Sequence, residues 1–281
     1  MQVFKFKKDL KTVLLSKTFP DRTIGFVPTM GALHDGHISL IKKAREENEI
    51  VIVSIFVNPT QFLPGEDLDA YPRKDEADKK ICEMCKVDYL FMPEISTMYG
   101  KEEVLIKAPN KSYMLEGEAR PGHFDGVLLV VLKLFGLTQP TNAYFGKKDA
   151  QQLSLITQMV KDLFLPINVV ACDIVRENDG LAMSSRNTRL SKKHRNAAPF
   201  IYKTLKKARK KFGTKSATEV SEWVENQFKK HPLLDLEYFT IADEKSLETT
   251  KNKESHKKYR AFIAVFAGKI RLIDNIRLKN D

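Results

Sequence analysis

The sequence predicts an α/β protein, a doubly wound parallel sheet followed by a smaller α+β domain, and three observations predict it. Short apolar, β-branched runs alternate with stretches of helical periodicity as far as about residue 179. One of those runs, Ile50 to Val57 (IVIVSIFV), is apolar on both faces, as a parallel strand covered by helices above and below must be. Beyond it the composition changes: Gly180 to Thr218 holds twelve Lys or Arg and no Asp or Glu.

The first strand is Thr23 to Pro28 (TIGFVP) and the second Ile50 to Val57; between them Leu40, Ile41 and Ala44 share one face of a helix over His37 to Glu49. A charged helix around Arg73 to Lys86 comes next, then a strand at Asp88 to Met92 and a helix through Val127 to Leu137. Asn142 to Phe145 reads as a short strand, Lys148 to Phe164 as a helix and Ile167 to Val175 as a strand. A boundary near residue 180 divides 1–180 from 181–281. In the second part Ile201, Leu205 and Ala208 mark an amphipathic helix with a basic outer face, and Leu234 to Ala242, Tyr259 to Ala267 and Lys269 to Asp274 read as antiparallel strands.

A chain of 281 residues, 42% hydrophobic and 30% charged, can bury one large core or two modest ones, which excludes a disulfide-stapled miniprotein and a disordered tail. Its net charge of +11 favours anionic partners without choosing among phosphates, carboxylates, nucleic acid and anionic lipid. Val127 to Leu132, the longest uninterrupted apolar run in the middle of the chain, is far short of the roughly 20 residues that span a bilayer, so no membrane helix is expected. Met1 to Leu10 carries Lys5, Lys7, Lys8 and Asp9 and no apolar stretch of signal-peptide length, which makes the cytoplasm the default compartment. Cys82, Cys85 and Cys172 are too few and odd in number to frame a fold by disulfides.

Four polar loops carry the chemistry. Thr29-Met30-Gly31-Ala32-Leu33-His34-Asp35-Gly36-His37 follows the first strand, with the helix starting at or near His37; it places a tight turn where open α/β sheets bind ligands. Gly31 and Gly36 allow close approach of the backbone, free N–H groups at the helix start favour a phosphate, and two imidazoles can donate to phosphate oxygens. The alternative is that His34 and His37 cap or pack the helix. Asn58-Pro59-Thr60-Gln61-Phe62 follows the second strand; Asn58 and Gln61 can donate to and accept from a small polar ligand that Phe62 closes over, or the segment is an ordinary Asn-Pro turn. Gly146-Lys147-Lys148-Asp149 opens the helix carrying Gln151 and Gln152, offering backbone N–H groups and a lysine to an anion and Asp149 to ribose hydroxyls, or only a solvated lysine pair. Met183-Ser184-Ser185-Arg186-Asn187, after Val175-Arg176-Glu177, presents two hydroxyls and a guanidinium suited to a polyphosphate, or a helix cap with a surface arginine. Neither the Walker A spacing nor GxGxxG occurs, which removes support for a P-loop NTPase or a dinucleotide dehydrogenase.

These loops resemble the pantothenate synthetase (pantoate–β-alanine ligase) family, of the wider HxGH nucleotidyltransferase superfamily. The resemblance runs in order from Thr23 to Leu190 through PTMGALHDGH, FVNPTQF, GEDLDAYPR, LEGEARPGHFDGV, YFGKKDAQQL and VRENDGLAMSSRN, while the last hundred or so residues add little. It implies a Rossmann-like N-terminal domain, a smaller C-terminal lid, a homodimer, and an ATP- and Mg²⁺-dependent ligation through pantoyl adenylate. It implies further that His34 and His37 contact the phosphates with His37 as proton donor, and that Lys148 neutralises the transferring end. Met30, Gly31, Ala32, Leu33, His34, Asp35, Gly36, His37, Gly146, Lys147, Lys148, Asp149, Val175, Met183, Ser184, Ser185 and Arg186 would line the ATP site. Gln61, Gln152 and Asn58 would hold pantoate, with Gln61 also near β-alanine, and the metal would ride on the ATP phosphates without dedicated protein ligands. Lys147 stands where the family often has Glu or Gln, which adds a positive charge beside the nucleotide.

Rival readings rest on other residues. Cys82-Glu83-Met84-Cys85 is half of a common metal or redox motif, but no second pair of suitable spacing follows, and a helix over Glu76 to Lys86 turns both cysteines inward. The basic stretch Arg186 to Lys215 could bind nucleic acid, though no RNA-module signature accompanies it. A different HxGH nucleotidyltransferase would share the adenylate chemistry but give no reason for Gln61 and Gln152.

Overall fold

The computed structural model describes residues 1–16 and 22–278. In chain order its elements are β1 (Gln2–Phe4), α1 (Lys7–Ser16), β2 (Ile24–Thr29), α2 (Asp35–Glu47), β3 (Ile50–Ile55), α3 (Asp75–Met84), β4 (Tyr89–Phe91) and α4 (Ile95–Met98). Then come α5 (Glu116–Ala119), α6 (His123–Thr138), β5 (Asn142–Gly146), α7 (Ala150–Asp162) and β6 (Asn168–Cys172). The rest is α8 (Lys192–Ala197), α9 (Phe200–Thr214), α10 (Ala217–Lys229), β7 (Asp235–Asp243), β8 (Tyr259–Ala267) and β9 (Ile270–Arg277). The chain forms two compact units: residues 1–109, 120–147 and 152–173, and residues 110–119, 148–151 and 174–281.

The first unit is built on a six-stranded sheet of order β1-β4-β3-β2-β5-β6 in which every pairing is parallel, so the fold is the doubly wound α/β sheet that the alternation predicts. All six residues of β3 are buried. Its side chains alternate between two apolar layers: Ile50 and Ile52 join Phe26, Phe91, Phe135 and Phe145 on one face, while Val51, Val53 and Ile55 join Val27, Ile41, Leu90 and Tyr144 on the other. Burying a side chain of this size stabilises by roughly 1.5–3 kcal/mol, so the two layers fix the register Ile24↔Ile50 to Thr29↔Ile55 between β2 and β3. That register brings the loops after β2 and β3 to one edge of the sheet.

Two N-terminal elements have no counterpart in the sequence reading. β1 is three residues long and pairs with β4 at the sheet edge, and α1 sends Leu10 into the core at 0% exposure. The charges of Lys5, Lys7 and Lys8 hide the pattern.

In the second unit β7, β8 and β9 form an antiparallel sheet of that order, and α9 and α10 supply Ile201, Leu205, Ala208, Phe212, Val220 and Val224 to its core. The lysines of α9 lie on its other side, as its periodicity predicts. Residues 110–119 belong here, because the buried Gln151 amide donates to the carbonyls of Lys111 (3.1 Å) and Met114 (2.8 Å) and accepts from Glu116 N–H (3.0 Å). Arg271 then clasps Glu116 with two bonds of 2.6 and 2.9 Å, and Tyr238 donates to the same carboxylate.

Candidate active site

The turn after β2 is held by side chains. Gly31 and Ala32 both take left-handed backbone, φ +82° and +50°. Position 31 calls for glycine on both counts, since a Cβ there would also stand 2.9 Å from Ile55 Cγ2. Gly31 N–H donates to Thr29 Oγ1 (3.2 Å), while Ala32 N–H and Leu33 N–H each donate to Asp78, at 2.8 Å. Asp78 is 1% exposed. Burial pushes its carboxyl up from the usual range, and the bonds from Leu33 and Ala32 pull against that.

The helix starts two residues earlier than the sequence suggests. His34 is its N-cap: His34 Nδ1 accepts from Gly36 N–H (3.1 Å) and His37 Nδ1 accepts from His34 N–H (3.3 Å), a capping box made from two imidazoles whose centroids lie 4.1 Å apart. An imidazole that accepts at Nδ1 carries its proton on Nε2 when neutral, so both rings are Nε2–H donors by construction. The backbone N–H groups of Gly31, Ala32, Leu33, His34 and Gly36 are therefore spent inside the protein.

Gln61 stands next to this turn, its Nε2 3.1 Å from Met30 Sδ. Asn58, 1% exposed, is committed to the protein: Nδ2 donates to Gln61 Oε1 (3.1 Å) and Gly126 O (3.2 Å), and Oδ1 accepts from Thr60 Oγ1 (3.0 Å) and Tyr99 OH (2.7 Å). It positions Gln61 from behind. Phe62 packs edge-on against Tyr71.

The sequence reading missed what holds Gln61 in place. His123 Nδ1 donates to Gln61 O at 2.7 Å, because Arg120 Nη1 occupies its Nε2 at 3.0 Å; Arg120 Nη2 also reaches Gln61 O, at 3.2 Å. Arg120 is locked in turn by two 2.6 Å bonds to Glu66. Burial favours the neutral form of Glu66, but the Arg120 guanidinium outweighs it and holds the carboxyl below the usual range. Gly126 brings α6 against the same loop, so closely that a Cβ would lie 2.2 Å from Thr60 O. The segments GEDLDAYPR and LEGEARPGHFDGV thus meet in the Glu66–Arg120 pair, which backs the Gln61 carbonyl.

The remaining predicted residues divide between the units. In the first, Gly146 ends β5 opposite Cys172, Gln152 lies in the first turn of α7, and Lys147 pairs with Asp173 at 2.6 Å, which holds the Asp173 carboxyl low and offsets the lysine's charge. In the second, Lys148 lies 3.3 Å from Asp149, and its carbonyl accepts from Asn275 at 2.8 Å. Val175 and Met183 are joined by a 3.0 Å bond from Met183 N–H, Ser184 caps the 3-10 turn Ser185–Arg189 by accepting from Arg186 N–H, and Ser185 is buried. Arg176 braces this hairpin with bonds of 2.6 and 2.9 Å to Asp274 while stacking on Tyr202. Cys82 is buried and its thiol is pushed up to about 12 by burial and the nearby Asp78, the opposite of a reactive thiolate. α3 ends at Met84, two residues short of the expected helix, and Cys85 is its half-buried C-cap, yet it packs against the same apolar layer as Cys82, as the inward reading expects.

A parallel sheet of this order, with an imidazole-capped turn at the carboxyl end of a central strand, defines an open α/β protein that presents its ligands there. The profile of the pantoate-beta-alanine ligase family matches residues 2–277, and the chain belongs to that family. It is 61% identical over 282 residues to the pantothenate synthetase of Aliarcobacter butzleri, covering 99% of this chain and 100% of that one. The crystal structure of pantothenate synthetase from Thermus thermophilus superposes with a TM-score of 0.91 at 39% identity, covering 98% of this chain and 99% of that one. A pantoate-beta-alanine ligase from Francisella tularensis, complexed with beta-gamma ATP and beta-alanine, gives 0.83 at 38% identity, covering 99% and 97%.

Proposed function

We propose that this protein ligates pantoate and β-alanine at the expense of ATP, giving pantothenate, AMP and pyrophosphate. The observation that carries the reading is the pair of Nε2–H imidazoles at His34 and His37 in the turn whose Met30 meets Gln61, within a member of this family. A carboxylate is a poor electrophile, so the pantoate carboxylate first attacks the α-phosphorus of ATP and expels pyrophosphate. The β-alanine amine then attacks the acyl carbon of pantoyl adenylate and expels AMP. Charge grows on the phosphates in the first step, which calls for fixed donors more than for a nucleophile.

His37 gives its Nε2 proton toward the phosphate oxygens and His34 donates beside it, with Met30 to His37 against the nucleotide. Gln61 and Gln152 hold pantoate, with Gln61 set by Asn58, His123 and Arg120, and Gln61 also faces β-alanine. Gly146, Lys147, Lys148, Asp149, Val175, Met183, Ser184, Ser185 and Arg186 are the remaining ATP residues of this reading, Lys148 offsetting charge at the transferring end. The described residues contain no cluster of three or more His, Cys, Asp or Glu side chains placed to cage a metal. Mg²⁺ held by the ATP phosphates would offset part of the charge that His34, His37 and Lys148 also meet. Among the described residues no helix is long and apolar enough to cross a membrane; a cytoplasmic homodimer fits this reading.

The test is pyrophosphate release with ATP and Mg²⁺ in the presence of pantoate, β-alanine or both. Sustained release with AMP only when both are present, and a single-turnover burst with pantoate alone, supports the ligase. Silence with every combination in folded, ATP-binding protein refutes the choice of acid.

A further inference from the structure

We propose that Asp78 is a positioning residue for adenylation, a buried carboxylate that clamps the nucleotide turn in its working shape before any ligand arrives. The proposal rests on the reading of residues 30–37 as that turn. Asp78 lies in α3, 46 residues from Ala32, and its two oxygens accept from two consecutive N–H groups of the turn, Ala32 and Leu33, at 2.8 Å each. Those N–H groups converge only because Gly31 and Ala32 are both left-handed. A residue with a side chain, such as Ala32, does not hold that backbone unaided, so an outside group has to fix it.

The surroundings fit a carboxylate kept for this purpose. Asp78 is 1% exposed and sits near the start of α3, where the helix dipole favours a negative charge. Thr29 Oγ1 takes Gly31 N–H and donates to Ser54 O at 2.8 Å, so three successive N–H groups are fixed to two side chains anchored in β2 and α3. The next residue is His34, whose ring orientation follows from where Leu33 is held. Asp78 also borders a cavity of about 770 Å³ shared with Met30, Gly31, Arg73, Lys79 and Glu94, so the clamp sits between open space and the turn. Its effect is preorganisation: both imidazoles stand ready, and none of the binding energy of ATP goes into folding the loop.

The experiment separates the two half-reactions. Asp78→Asn keeps the shape but turns an NH₂ toward one of the two N–H groups; Asp78→Ala removes both acceptors. The pyrophosphate burst with ATP and pantoate is expected to slow about 10-fold in the first variant and about 100-fold in the second, the scale of an ångström of misplacement. Release of AMP from supplied pantoyl adenylate and β-alanine should change less than about twofold, because that step no longer draws on the fixed phosphate donors. The amide proton resonances of Ala32 and Leu33 should move in Asp78→Asn while those of α10 stay. An unchanged burst in Asp78→Asn, or equal loss in both half-reactions, overturns the clamp. If the unaltered protein releases no pyrophosphate with pantoate, the choice of acid fails, and the clamp stands or falls on calorimetry. Asp78→Ala then weakens ATP binding about 10-fold if Asp78 holds the turn, and leaves it unchanged if it does not.

Discussion

Two helices of this protein begin with the same device built from different chemistry. At α10, Ser216 Oγ accepts from Glu219 N–H (3.2 Å) and Glu219 accepts from Ser216 N–H (2.9 Å), with Lys215 closing on the same carboxylate at 2.8 Å. At α2 the two partners are His34 and His37. The serine and glutamate spend their polar atoms on the helix and its flanking lysine, so that box is structural and nothing more. Each imidazole caps with Nδ1, and its other nitrogen has the opposite hydrogen-bonding character, a donor where the first accepts. A cap made of histidines therefore fixes a tautomer while it fixes a helix.

The comparison breaks first at His37. Replacing it by Ala is expected to raise the adenylation barrier on the order of 2.7–4 kcal/mol, the loss of one preorganised donor, and pyrophosphate release measures it; normal turnover would mean that the α2 box is as purely structural as the α10 box. A sharper cut compares two variants of His34. Asn is a strong N-cap and keeps an acceptor for Gly36 N–H, whereas Ala does not. In urea melts His34→Ala should lose about 0.5–2 kcal/mol and His34→Asn only a few tenths, yet both should lose adenylation; an active His34→Asn would show that capping is all His34 does. The converse variant, Ser216→Ala, should cost about 1 kcal/mol of stability with turnover unchanged, and a drop in turnover per folded molecule would deny the contrast.

The smallest effect is one of pH. Lys215 and Ser216 hold the Glu219 carboxyl down to about 2, against 4.5 ordinarily. A carboxyl depressed by folding stabilises above its unfolded pKa, and that contribution fades as pH falls from about 4.5 toward 2. The thermal midpoint of Glu219→Gln should thus fall less steeply over this window than that of the unaltered protein. Parallel curves would show that the exposed carboxylate is screened too well to matter.

What could be read from residue order alone follows the same divide between local and distant. The α/β class, the central strands and the turns after β2, β3 and β5 were legible because β3 is apolar without interruption and each of those turns follows its strand closely, whereas Met183 to Asn187 lies well past the end of β6. α1 and β1 were not, since three edge residues and a helix dressed in lysines carry little pattern. The start of α2 was misplaced at His37 because histidine is not among the usual caps, while Ser-x-x-Glu at α10 spells its box in ordinary letters. Asp78, Arg120 and Glu66 were out of reach for another reason: Asp78 and Arg120 act on backbone atoms 45 and 59 residues away, Glu66 acts through the Arg120 side chain, and bonds over such distances leave no spacing in the sequence.

Gly126 shows how such hidden couplings constrain the future of a protein. With Thr60 O only 2.2 Å from where its Cβ would stand and Gln61 N at 2.8 Å, any other amino acid at this point on α6 must push the Gln61 loop outward. A single-letter change in the helix would therefore act on the loop proposed to hold pantoate, without replacing any residue of that loop.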